Sequence, residues 1–161
     1  ISIIPRGIAA GYTMYRPADV RGHTTKTELV EQICSLLGGR VAEKLTQEDI
    51  TTGASNDIQR ATEIAQKMVM KYGMSDKLGP IVYGKDHDEV FLGRDLGSAK
   101  TYSDEIAAEI DEEVKSIVEG QFAHAENILT EHMNKLHQIA KYLFENEKMD
   151  ADQFKTAMAA E

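Results

Sequence analysis

TTGASNDIQRATEIAQKMVMKY, Thr51 to Tyr72, joins a polar, glycine-containing turn to a run in which Ile58, Ala61, Ile64, Ala65, Met68 and Tyr72 recur every three or four residues. That period places them on one face of an α-helix, an apolar face that must bury against a partner. Ser55 or Asn56 is expected to cap this helix and Gly73 to stop it. Asp57 falls in the first turn, where unsatisfied N–H groups and the positive end of the macrodipole favour a carboxylate. Position alone leaves two roles open for Asp57. It is either a helix acid worth a few tenths up to about 1 kcal/mol, or a functional carboxylate.

Upstream, Thr25 and Glu28 have the spacing of a capping box, and Leu29, Ile33, Leu36, Leu37, Val41 and Leu45 follow at helical intervals. Gly38-Gly39 interrupts them. A glycine inside a helix costs about 1 kcal/mol relative to Ala, so either the helix breaks there or another backbone approaches closely. The pair does not belong to a phosphate-binding loop, because no G-x-x-x-x-G-K-[ST] pattern occurs. Cys34, the single cysteine, sits in the apolar stretch QICSLL and reads as a buried, reduced thiol, which implies a reducing compartment.

Downstream, Ile81 to Tyr83 and Val90 to Leu92 are short β-prone runs bounded by Gly and Pro. Asp86, His87 and Asp88 between them fit neither an EF-hand nor a zinc motif and read as a solvated hairpin loop. Thr101 and Asp104 open a long apolar stripe, from Ile106 to Leu143, that is too long for an ordinary globular helix. It implies a coiled-coil-like partner or a hairpin of two helices breaking near Gly120. Asp150 and Gln153 start a last short helix, and at the other end ISII and AAGYTMY read as two short strands. The expected fold is one mainly α domain with a small β-hairpin and short antiparallel strands. The hairpin is 1–17, the helical core 25–73, the short strands 80–93 and the C-terminal helices 102–160.

With 42% hydrophobic residues, 6% aromatics and no Trp, the core must be aliphatic and Met- and Ala-rich. The 27 acids outnumber 18 Lys and Arg, and the net charge of -9 argues against nucleic acid as a partner. No apolar run approaches the roughly 18 residues that span a bilayer, and no signal peptide opens the chain, so the residues given are expected to be soluble. His124, His132 and His137 lack the four-residue spacing that pairs imidazoles on a helix face, and His23 stands alone in a loop. The chain starts at Ile1 within a strand-like run and without Met, which suggests an excised segment of a longer protein.

Ordered blocks along nearly the whole chain are similar to the peptidase domain of FtsH-type ATP-dependent zinc metalloproteases, membrane-anchored AAA+ enzymes. They are SIIPRG (Ser2 to Gly7), QICSLLGGRVAE (Gln32 to Glu43), TTGASNDIQRAT (Thr51 to Thr62), KLGPIVYG (Lys77 to Gly84), EVFLGRD (Glu89 to Asp95), IDEEV (Ile110 to Val114) and DADQ (Asp150 to Gln153). The resemblance implies that Asp57 is the third protein ligand of a catalytic zinc. The other two ligands would come from an H-E-x-x-H helix whose Glu is the general base. That helix and the ATP-using module are expected upstream of Ile1, so the 161 residues alone are expected to be inactive and to hold zinc weakly or not at all. It further implies that Gly11, Tyr12, Thr13, Met14 and Tyr15 form an edge that receives unfolded polypeptide by strand addition. In the family the Gly38-Gly39 helix continues unbroken. The implied parent is a homo-hexamer on the cytoplasmic side of the cell membrane that degrades unfolded or short-lived cytosolic and membrane proteins. The alternative is a non-catalytic helical interaction or oligomerisation module.

Overall fold

The computed structural model describes residues 1–5, 11–14, 22–84 and 102–159. They form five α-helices: α1 Lys26–Thr46, α2 Ser55–Met70, α3 Asp104–Glu131, α4 Met133–Asn146 and α5 Ala151–Ala159. The fold is mainly α, as expected. It divides into two compact units, His23–Asn127 and Ile1–Gly22 with Ile128–Glu161.

In the larger unit, α1 begins with a complete capping box. The Thr25 hydroxyl accepts the Glu28 N–H at 3.2 Å, and the Glu28 carboxylate accepts the Thr25 N–H at 2.7 Å. The helix runs unbroken through Gly38 and Gly39, and a Cβ on either would meet no heavy atom within 4 Å. Neither a break nor a close backbone explains the pair among the described residues. Ile33, Leu37 and Val41 are the buried positions, one side of the helix as the spacing requires.

The start of α2 differs from the expected side-chain cap. Ala54 occupies the cap position, no side chain bonds there, and Ser55 is already helical, its N–H taken by the Thr52 carbonyl at 3.0 Å. The backbone of the turn therefore does the work assigned to Ser55 or Asn56. The helix ends at Met70, which leaves Tyr72 beyond it and 48% exposed rather than on the buried face. Gly73 has φ +59°, and Met74 N–H returns to the Met68 carbonyl at 2.9 Å. A Cβ on Gly73 would lie 2.9 Å from Pro80 Cα, so both the left-handed backbone and the close approach require glycine.

Ile33 and Leu37 of α1 pack with Ala61, Ala65 and Met68 of α2, and Val114, Ile117, Val118 and Phe122 of α3 cover them. Val69, Leu78 and Ile110 form a second cluster beside Tyr83, whose ring meets Tyr102 edge-on at 6.0 Å. Residues 81–83 are not a strand. Tyr83 N–H goes to the Met70 carbonyl and its hydroxyl to the Leu78 carbonyl, so this run closes over the end of α2. Val90 to Leu92 and the Asp86–Asp88 loop lie outside the described residues. The long C-terminal stripe breaks at His132 (φ -109°, ψ 24°), not near Gly120, where α3 continues helically.

In the smaller unit the expected hairpin appears as single antiparallel bridges, Ser2 with Tyr12 on one side and Ser2 with Lys148 on the other. Ile3 N–H donates to the carbonyl of Glu147, the left-handed residue (φ 62°) that ends α4, and Met149 N–H donates to the Ile1 carbonyl. Asp150 and Gln153 exchange backbone-to-side-chain bonds of 2.8 Å at the start of α5. No helix among the described residues is long and apolar enough to cross a membrane.

Candidate functional site

Asp57 is the third residue of α2, beneath the turn Thr51–Ala54. Its side chain is 47% exposed, and its Oδ1 lies 3.9 Å from the guanidinium of Arg60, itself 54% exposed. A pair that long and that solvated contributes little to stability, so the carboxylate is held loosely and remains available as an oxygen donor.

The turn before it is held more firmly. Glu43, near the end of α1, uses both carboxylate oxygens: Oε1 accepts the Thr51 hydroxyl at 2.5 Å and Oε2 accepts Arg40 Nη1 at 3.3 Å. The Arg40 and Glu43 side chains are only 18% and 16% exposed. Thr51 Oγ1 in turn accepts the Gly53 N–H at 3.1 Å. The contacts thus run from α1 through Thr51 to the backbone that leads into α2. Sequence inspection does not single out Glu43 or Thr51, because eight residues across a helix end follow no period; their only mark is that both fall inside blocks similar to the FtsH type.

A carboxylate oxygen suits zinc, but a catalytic zinc needs three protein ligands and an open position. Among the described residues no group of three His, Cys, Asp or Glu side chains is placed to hold one ion, and the sequence contains no H-E-x-x-H. Asp57 offers one oxygen of a suitable kind, and the described residues place no full ligand set around it. Cys34 is partly rather than fully buried. Burial first, and the Glu31 charge second, push its thiol up, away from the thiolate that a nucleophile or soft metal ligand requires. His23, His124, His132 and His137 are exposed.

Gly11 to Met14 belong to the smaller unit, Asp57 to the larger. A Cβ on Gly11 would lie 2.6 Å from the Ser2 carbonyl oxygen, so this close approach to the Ser2 backbone demands glycine. Tyr12 exchanges both backbone bonds with Ser2, at 2.9 and 2.8 Å, while Tyr12 is 42% exposed and Met14 66% exposed. Tyr15 lies outside the described residues.

The model of peptidase family M41 matches residues 1–157. The ATP-dependent zinc metalloprotease FtsH of Caldicellulosiruptor bescii is 55% identical over 155 residues, covering 96% of this chain and 25% of that protein. ATP-dependent zinc metalloprotease FtsH 1 of a Thermoanaerobacter species is 52% identical over 161 residues, 100% of this chain and 26% of its own length. The Bacillus subtilis ATP-dependent zinc metalloprotease FtsH is 47% identical over 156 residues, 96% of this chain and 24% of that protein. The chain spans about a quarter of the length of these relatives.

Proposed function

The chain belongs to peptidase family M41, and on that premise we propose that it forms the peptidase portion of a membrane-anchored, ATP-dependent zinc metalloendopeptidase. Its substrates are unfolded or short-lived cytosolic and membrane proteins. The observation that carries this is Asp57, an accessible carboxylate in the first turn of a helix whose leading turn is tied to α1. Asp57 supplies one zinc ligand, and the two histidines and the general base belong to an H-E-x-x-H helix outside these 161 residues. The 161 residues by themselves do not cleave peptides. Zinc, when held by Asp57 and the two histidines, would supply Lewis-acid chemistry for peptide hydrolysis.

Gly11 to Tyr15 align the substrate. Because Tyr12 turns both its backbone groups to Ser2, the alternation of an antiparallel ladder turns those of Gly11 and Thr13 the other way, toward an added strand. Backbone bonding of this kind is indifferent to side-chain sequence, as degradation of many different unfolded chains demands. Exposed Tyr12 and Met14 flank it with apolar surface. An ATPase module elsewhere in the protein delivers the substrate. The parent assembles as a homo-hexamer on the cytoplasmic side of the membrane, with helical surfaces of the peptidase portions forming the ring.

The test uses the full-length protein with unfolded casein and ATP. Chelation by 1,10-phenanthroline is expected to stop casein cleavage while ATP hydrolysis continues, and added zinc to restore it. Cleavage that survives complete zinc removal would overturn the assignment.

A further inference from the structure

α2 begins without a side-chain cap, so what holds its leading turn in place has to come from elsewhere. Thr51 and Gly53 flank Thr52, whose carbonyl takes the Ser55 N–H, and Gly53 leads into Ala54, whose carbonyl takes the Ile58 N–H. Thr51 is anchored through its hydroxyl, which donates to Glu43 and accepts from Gly53. Glu43 is anchored at both ends of its carboxylate, to Arg40, with which it is largely shielded from water, and to the exposed Thr51. Hydrogen bonds to an ionised carboxylate are shorter and about twice as strong as neutral ones, and this one ties α1 to the turn directly. Its backbone is committed as well, since the Glu43 carbonyl accepts the Gln47 N–H that closes α1.

We infer that Glu43 is a positioning residue for the Asp57 carboxylate, acting through Thr51 to fix the Thr51–Gly53 turn and hence the direction in which the first turn of α2 presents Asp57. This rests on Asp57 being a zinc ligand. A ligand must be held to within about 0.5 Å of its productive place, and partners outside the ligand set provide that restraint. The Arg60 contact, at 3.9 Å and exposed, does not. A positioning role accounts for a charged pair kept partly buried at the end of α1, where a surface pair would add little.

The experiment compares Thr51→Val, Thr51→Ser, Glu43→Ala, the Glu43→Ala/Thr51→Val double variant and Asp57→Asn in the full-length protein. Zinc affinity is read by chelator competition, and amide exchange at Gly53 is followed in the zinc-free protein. Thr51→Val is expected to weaken zinc by about 10- to 100-fold and to speed exchange at Gly53, whereas Thr51→Ser, which keeps the hydroxyl, stays near wild type. Since Glu43 acts through Thr51, the double variant is expected to bind zinc no more weakly than the worse single variant. Unchanged zinc affinity in Thr51→Val, beside a clear loss in Asp57→Asn, would reduce the Glu43–Thr51 contact to a structural tie. A Thr51→Val defect that Thr51→Ser does not repair would overturn the inference equally. If Asp57→Asn itself binds zinc normally, Asp57 is not the ligand and Glu43 has nothing to position.

Discussion

Asp57→Asn in the full-length protein is expected to lower zinc affinity and casein cleavage by more than about 100-fold, beyond the usual cost of losing an outer partner of a metal site, with little change in the stability of the fold. The asymmetry follows from where Asp57 sits. Its side chain is half exposed and its contact with Arg60 is long, so the folded chain loses only the first-turn charge, worth a few tenths up to about 1 kcal/mol. In the proposed ligand role the same group would supply the anionic oxygen, which a neutral amide replaces poorly. Equilibrium dialysis of zinc and casein cleavage, measured beside a thermal melt, separate the two roles. A variant that keeps its zinc and its activity but melts slightly earlier would return Asp57 to the role of a helix acid.

Ile33→Ala should have the opposite profile, a large stability loss of about 3 kcal/mol with no direct part in the chemistry. Ile33 is 0% exposed and meets Leu37, Ala61, Ala65 and Met68 where α1 and α2 pack. Ala61 and Ala65 are too small to move into the space left, so most of it persists as a cavity and the cost includes that cavity as well as the lost transfer free energy. Against a typical total of about 5–15 kcal/mol this is a large fraction. Urea unfolding of the 161-residue chain, followed by circular dichroism, gives the value. A loss below about 1 kcal/mol would mean that the α1–α2 contact is not the centre of the core.

What could be read in the sequence was local and periodic. The Thr25–Glu28 box and the Ile33, Leu37, Val41 stripe mark α1 because capping and burial both act within a few residues of chain. Ala61, Ala65 and Met68 likewise mark the buried face of α2. The departures arise where a distant or backbone partner wins. Ser55 and Asn56 are good caps by type, yet the Thr52 carbonyl takes the Ser55 N–H and the helix starts a residue early. Gly120 is weak helix by propensity, but α3 residues on both sides of it, Val118 and Phe122, pack against the α1–α2 core and carry the helix through. Residues 81–83 have strand-like composition, but the Ile81 N–H turns back to the Gly79 carbonyl and the Tyr83 N–H goes to the Met70 carbonyl at the end of α2.

The site divides in the same way. Asp57 in a first turn is visible from capping logic, while the proposed ligand role rests on the similarity of TTGASNDIQRAT to the FtsH type, since many helices carry such an acid. Gly11 is explained only by structure, through the Ser2 carbonyl oxygen that would lie 2.6 Å from its Cβ. The link from Glu43 to Thr51 has no sequence signature, being set by how α1 ends against the turn.

The most direct test is the location of zinc itself, by anomalous diffraction at the zinc edge from crystals of the zinc-loaded, full-length protein. Zinc about 2.0–2.2 Å from a carboxylate oxygen of Asp57, with two histidines of an H-E-x-x-H helix completing the protein ligands, is the expected result. Zinc with a complete set of protein ligands that leaves Asp57 out would contradict it.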